Sequence, residues 1–232
     1  MTAPVTVTQR SGRPSGAGWR VATALVILSF IPLTAGILRL VQLAGGPEVL
    51  PADERFAGFP AALVIHIAGS GLYAVVGILQ FLPRFRRRHR DWHRRAGRLL
   101  VISGLAVAGS ALWLTLAYPA HPGTGPIAFV ARVAIGCSMA AFLVLGFVAI
   151  RRRDVAAHRA WMVRAYALAL GAGTQAFTEG IGGALFGTGV LAADLAKTAA
   201  WVINLAVAEW AIRRPAARLP ARTRRQPAGA AP

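Results

Sequence analysis

The sequence predicts an all-α integral membrane protein: a bundle of six transmembrane helices with both chain ends in the cytoplasm. Three observations carry this. The chain is 56% hydrophobic with a mean hydropathy of +0.54, against roughly 45–50% apolar residues in soluble domains. Six apolar runs are long enough for a bilayer core, which takes about 20 residues of helix. The formal charge of +18 sits in short blocks between those runs, which is how cytoplasmic loops look and not how a nucleic-acid-binding face looks.

The runs are Trp19–Leu43, Pro60–Leu82, Gly97–Tyr118, Pro126–Ile150, Ala160–Glu179 and Leu191–Ile212. The first exceeds the apolar core of a signal peptide, and further spans follow it. Pro60 and Pro126 stand at first-turn positions, where proline is tolerated, and Pro32 inside the first run predicts a kink. Gly69, Gly104, Gly136, Gly171 and Gly173 would let helices approach closely. Residues 1–18 and 213–232 are polar, proline-containing and basic, and read as disordered cytoplasmic tails flanking a transmembrane domain over 19–212. The single cysteine, Cys137, excludes an intrachain disulfide. Lys197 is the only lysine, and so arginine-rich and alanine-rich a composition fits a GC-rich bacterial genome, hence a bacterial inner (plasma) membrane.

Orientation follows from the loops. The second connection carries Arg84, Arg86, Arg87, Arg88, Arg90, Arg94 and Arg95, and the fourth carries Arg151, Arg152, Arg153 and Arg159. Both belong inside by the positive-inside rule. Arg10, Arg13 and Arg20 before the first run, and Arg213, Arg214 and Arg218 after the last, fall on the same side once six spans are counted. The first connection holds only Arg55, beside Glu48, Asp53 and Glu54. Trp19, Trp92, Trp161 and Trp210 mark the inner boundary as an aromatic belt would.

The two arginine loops also resemble each other. Residues 86–94 read RRRHRDWHR and residues 151–159 read RRRDVAAHR, so in both three arginines are followed, after four residues, by His-Arg. This places His93 and His158 at equivalent starts of the third and fifth helices, with Arg98 and Arg164 further in and Asp91 and Asp154 as expected N-caps. Hairpins two-three and four-five would then be related by a pseudo-twofold axis along the membrane normal. Coincidence in an arginine-rich chain is the competing account.

HIAGSGLYAVVGILQF from His66, HRRAGR from His93 and HRAWMVRAYAL from His158 resemble the bacterial membrane proteins grouped as the domain-of-unknown-function 2306 family, over about residues 60–180. The resemblance implies a small polytopic membrane protein and carries no established activity with it. It singles out His66, Gln80, His93, Gly97, Arg98, His158, Arg159, Trp161 and Arg164.

Three chemistries follow from these residues. The first is a membrane-embedded polar site on helices two to five, with His93, Arg98, His158, Arg159 and Arg164 toward the inside and His66, Gln80 and Arg132 completing it. The second is a b-type haem for electron transfer, held between His93 and His158, or between His66 and His121, with arginines on the propionates. The depth of His93 and His158, among arginines at headgroup level, tells against the first pair, and their plain alternative is an interfacial role beside anionic lipid headgroups. The third is a transporter-like or anionic-lipid-binding module. Charges within spans are expensive, and Arg39, Glu179, Asp194 and Lys197 gather with His66 and Arg132 in the outer half. Asp194 and Lys197 share a helix face, and a simple pairing of the two is the modest account. No HExxH, Walker, GxSxG or CxxC pattern occurs, so metalloprotease, NTPase, hydrolase and thiol-redox chemistry lack a basis.

Overall fold

A computed structural model describes residues 17–53, 55–56, 60–121 and 123–214. The expected tails fall outside these residues except at their inner edges, as do Arg10, Arg13, Glu54 and Arg218. All regular structure among the described residues is helical: α1 (Ala17–Leu43), α2 (Ala61–Gln80), α3 (Pro83–Arg88), α4 (Arg90–Leu116), α5 (Pro126–Arg151), α6 (Val155–Ala169), α7 (Gly171–Phe186) and α8 (Val190–Arg213). Five of these, α1, α2, α4, α5 and α8, are long and apolar enough to cross a membrane.

Helices α1, α2, α4 and α5 pack antiparallel in succession, and α8 starts beside the start of α5 and runs parallel to it. Side chains that could not face water cover the outside: Phe30, Ile102 and Val130 are 66%, 68% and 64% exposed, which suits hydrocarbon. The core instead joins Tyr73, Leu100, Val107, Leu143 and Tyr166. Small residues set its spacing, since a Cβ on Gly104 would lie 2.7 Å from both Leu143 and Tyr73. Across α2 and α4, Ser103 donates to the Gly69 carbonyl at 2.9 Å. Across α6 and α2, Tyr166 donates to the Ala74 carbonyl at 2.9 Å.

The fifth run differs from expectation, because it is broken at Leu170 into α6 and α7. Here the i to i−4 ladder lapses. The Gly173 N–H reaches back only three residues, to the Leu170 carbonyl, before Thr174 resumes the four-residue bond to the same oxygen, and the Ala167 carbonyl accepts from the Asn204 side-chain amide of α8 at 3.1 Å. Thr174 donates to Asn204 Oδ1 at 2.8 Å, which orients that amide. The break is also where α1 packs closely on α7. Pro32 has no N–H to give the Leu28 carbonyl, and this oxygen lies so near Gly173 that a Cβ there would collide with it. Helix α1 runs on through Pro32. Beyond the break, α6 and α7 together follow α8 in one antiparallel register, from Arg164 opposite Glu209 to Glu179 opposite Lys197.

Three local expectations change. Helix α4 begins at Arg90, just ahead of the expected cap Asp91, and is preceded by the short helix α3 that Pro83 opens. Asp91 therefore lies inside the first turn and does not cap, while Asp154 caps α6 as expected, accepting from the Ala157 N–H at 2.9 Å. Pro60 is the N-cap of α2 and not a first-turn residue.

Candidate functional site

The two ends of the bundle differ in kind. The arginine end holds the connections around α3 and at 152–154. The far end holds the connections 44–60, 117–125 and 187–189.

At the arginine end some polar groups are matched by protein and others are not. Arg164, within α6, reaches Glu209 of α8 with two guanidinium nitrogens, one of them at 3.1 Å, and its guanidinium stacks over Trp161 at 4.7 Å. Glu209 was not singled out from sequence. An acid inside the last apolar run, at the end crowded with arginine, was the signal for it. His158 and His93 are each the fourth residue of their helix. His158 Nδ1 lies 2.9 Å from the Gly146 carbonyl of α5, and since a carbonyl only accepts, Nδ1 carries the proton. His93 Nδ1 and both amide atoms of Gln80 are buried without a hydrogen-bond partner. Arg98 and Arg159 are exposed, and Arg159 reaches only the Ala211 carbonyl, at 3.5 Å. Of the expected inner cluster, Arg98 is exposed and Arg164 pairs with Glu209 of α8, while His93 and His158 lie close enough for the charge of one to act on the other.

The far end opens into a cavity of about 750 Å³ between α1, α2, α4, α5, the α6–α7 break and α8, a size typical of small-molecule pockets. Arg39, Asp53, Arg55, Arg132 and the exposed His121 form its outer wall, with His66 and Gln175 further in. Leu28, Ser29, Pro32, Met139, Leu168 and Trp201 form its floor. His66 Nδ1 sits 3.3 Å from both the Val107 carbonyl and Ser110 Oγ of α4. Its proton goes to that carbonyl, leaving Nε2 for the cavity. Ser29 Oγ, on the floor, is buried and has no partner.

The charges expected in the outer half separate here. Arg39, His66 and Arg132 line the cavity. Asp194 does not pair with Lys197: its carboxylate accepts from the Gly125 and Ala128 N–H groups at 2.9 and 3.0 Å, capping α5 from across the bundle. Lys197 turns to Glu179 at 3.6 Å. Asp53 and Arg55, on the loop, clasp each other at 2.6 and 2.8 Å. The Arg55 guanidinium holds the Asp53 carboxyl below its ordinary value of 3.8. Arg55 also donates to the Pro119 carbonyl at 3.4 Å, tying the first far-end connection to the second.

No group of three or more His, Cys, Asp or Glu residues among the described residues is placed to hold a metal ion. A haem between His93 and His158 would need both imidazoles to open onto one apolar slot, and the cavity reaches neither. No curated protein and no solved structure matches the chain. One family, described as predicted membrane proteins of DUF2306, matches residues 63–212, a stretch running from the start of α2 to the end of α8 with all three of the histidine motifs. The chain belongs to that family of membrane proteins of unknown function.

Proposed function

We propose that this is a six-crossing protein of a bacterial inner membrane, with the arginine loops and both chain ends in the cytoplasm, and that it binds a small amphipathic molecule in the cavity from the opposite side. The sixth crossing is α6 and α7 together. Each is about 23 Å long at 1.5 Å per residue, short of a hydrocarbon core of about 30 Å, but jointly they accompany α8 along its length. Broken helices of this kind occur in membranes where irregular backbone lines a cavity, and Leu170 and Gly171 line this one.

The observation that carries the reading is the cavity itself, polar at its outer wall and apolar at its floor. The arginine loops at the other end supply orientation and attraction to anionic headgroups. The equivalent places of His93 and His158 in α4 and α6 support a twofold relation of the two hairpins.

The test is to fill the cavity. A Cβ on Gly71 meets only Leu33, at an ordinary 3.7 Å, so Gly71→Phe should fold and occupy the space. Wild-type protein purified from its membrane should carry a small amphiphile detectable by mass spectrometry, and Gly71→Phe should have lost it while eluting normally from a sizing column. Wild type that carries none, and that no added amphiphile stabilises, would end the reading.

A further inference from the structure

The wall of the cavity has more positive charge than the protein neutralises. Among the described residues three carboxylates near it are committed elsewhere: Asp53 to Arg55, Glu179 to Lys197, and both oxygens of Asp194 to the backbone of α5. Arg39 reaches only neutral acceptors, Gln42 Oε1 at 3.3 Å and the Pro51 carbonyl at 2.9 Å. Arg132 goes further. Its charged neighbours are Arg55, Asp194 and Glu179, and among the described residues its guanidinium makes no hydrogen bond and no ion pair. It stands part-buried in α5, two turns inside Pro126, where an uncompensated charge is costly.

The floor has no charge at all. Along α1 it lies eleven residues from Arg39, at Leu28, or about 16 Å at 1.5 Å per residue. Apart from Ser29 it is apolar, ending on Trp201 and Leu168.

We propose that the ligand is an amphipathic anion with a single apolar chain: a carboxylate or phosphate head held by Arg132 with Arg39 on the same wall, and a chain laid over the floor toward Trp201. Guanidinium groups suit such heads because two parallel N–H groups meet two oxygens. This rests on the cavity being a binding site, and adds the sign and shape of what enters it.

The experiment uses the full chain in phosphatidylcholine nanodiscs, titrated with dodecanoate, dodecyl phosphate and dodecanol while the unfolding temperature is followed. The anions should stabilise the protein, and dodecanol should bind more weakly by about tenfold or more, the weight of one charge-assisted hydrogen bond. Arg132→Gln should lose that advantage, and Arg132→Lys should keep part of it. Arg39→Gln serves where Arg132→Gln does not fold. Stabilisation by dodecanoate alone assigns a carboxylate head, and by dodecyl phosphate alone a phosphate head. Dodecanol binding as tightly as the anions overturns the charge inference and leaves the cavity standing. No response to any of the three overturns both.

Discussion

Arg164 and Arg132 are both arginines inside apolar helices, one toward each end of the bundle, and their circumstances are opposite. Arg164 is met by Glu209 from α8 and by the face of Trp161, so the charge is used to join helices. Arg132 makes no hydrogen bond or ion pair among the described residues and lines a cavity. A part-buried charge with carboxylates nearby but none paired to it carries a cost that the Arg164 pair does not, so the two arginines teach different things. At the arginine end the Arg164–Glu209 pair joins two helices. At the far end Asp53, Asp194, Glu179 and Lys197 likewise find partners within the chain, and Arg132 is the charge that makes no hydrogen bond or ion pair among the described residues.

The comparison depends on the two ends lying on opposite sides of the membrane. A reporter active only outside the cytoplasm should be fully active when fused after His121 or in Gly187–Gly189, and silent in the 84–95 loop or after Arg213. This is the largest effect expected, an all-or-none one. Activity at the C-terminal end would overturn the six-crossing topology and with it the side from which the cavity opens.

Next in size is the Arg164–Glu209 pair. Removing one partner of a buried pair strands the other charge, at a cost of about 3–5 kcal/mol. The two side chains here are 22% and 31% exposed, so Glu209→Gln should cost about 3 kcal/mol or less in equilibrium unfolding. Arg164→Met combined with Glu209→Met should recover much of the loss. If Glu209→Gln changes stability by less than the scatter of surface substitutions, about 0.5 kcal/mol, the arginine end is not held together this way.

These contrasts were unevenly legible in the sequence. Hydropathy and arginine placement located the helices, because a span is a long-range average that single residues hardly disturb. Asp154 was legible as a cap since nothing precedes it but a turn, whereas Asp91 was not, because Pro83 starts a short helix and α4 resumes just before it. The break at Leu170 was invisible: ALALGAGTQAF reads as continuous apolar helix, and what interrupts it lies far off in the chain, the Leu28 carbonyl that Pro32 leaves unpaired and the amide of Asn204. Arg39, His66 and Arg132 could be assigned to one end by counting spans. That they share a cavity, while Asp194 and Lys197 take other partners, depends on helix rotation, which hydropathy does not report.

The smallest effect belongs to the clasp at the far-end wall. Asp53 receives two hydrogen bonds from the Arg55 guanidinium, and these, ahead of every other influence, hold its carboxyl below its ordinary 3.8. A carboxyl whose folded value is depressed adds stability that is fully present above the unfolded value and disappears as pH falls through the folded one. The pair is about a fifth exposed on each side, so its worth should be that of a partly screened ion pair, up to about 1 kcal/mol. Stability measured from pH 6 down to pH 2.5 should therefore fall more steeply for wild type than for Asp53→Asn, with the two curves converging at the acid end. Other carboxylates titrate in the same range, so the difference between the curves is the quantity to read. Parallel curves would mean that the clasp contributes nothing to folding and serves only to join the two far-end connections through Arg55 and the Pro119 carbonyl.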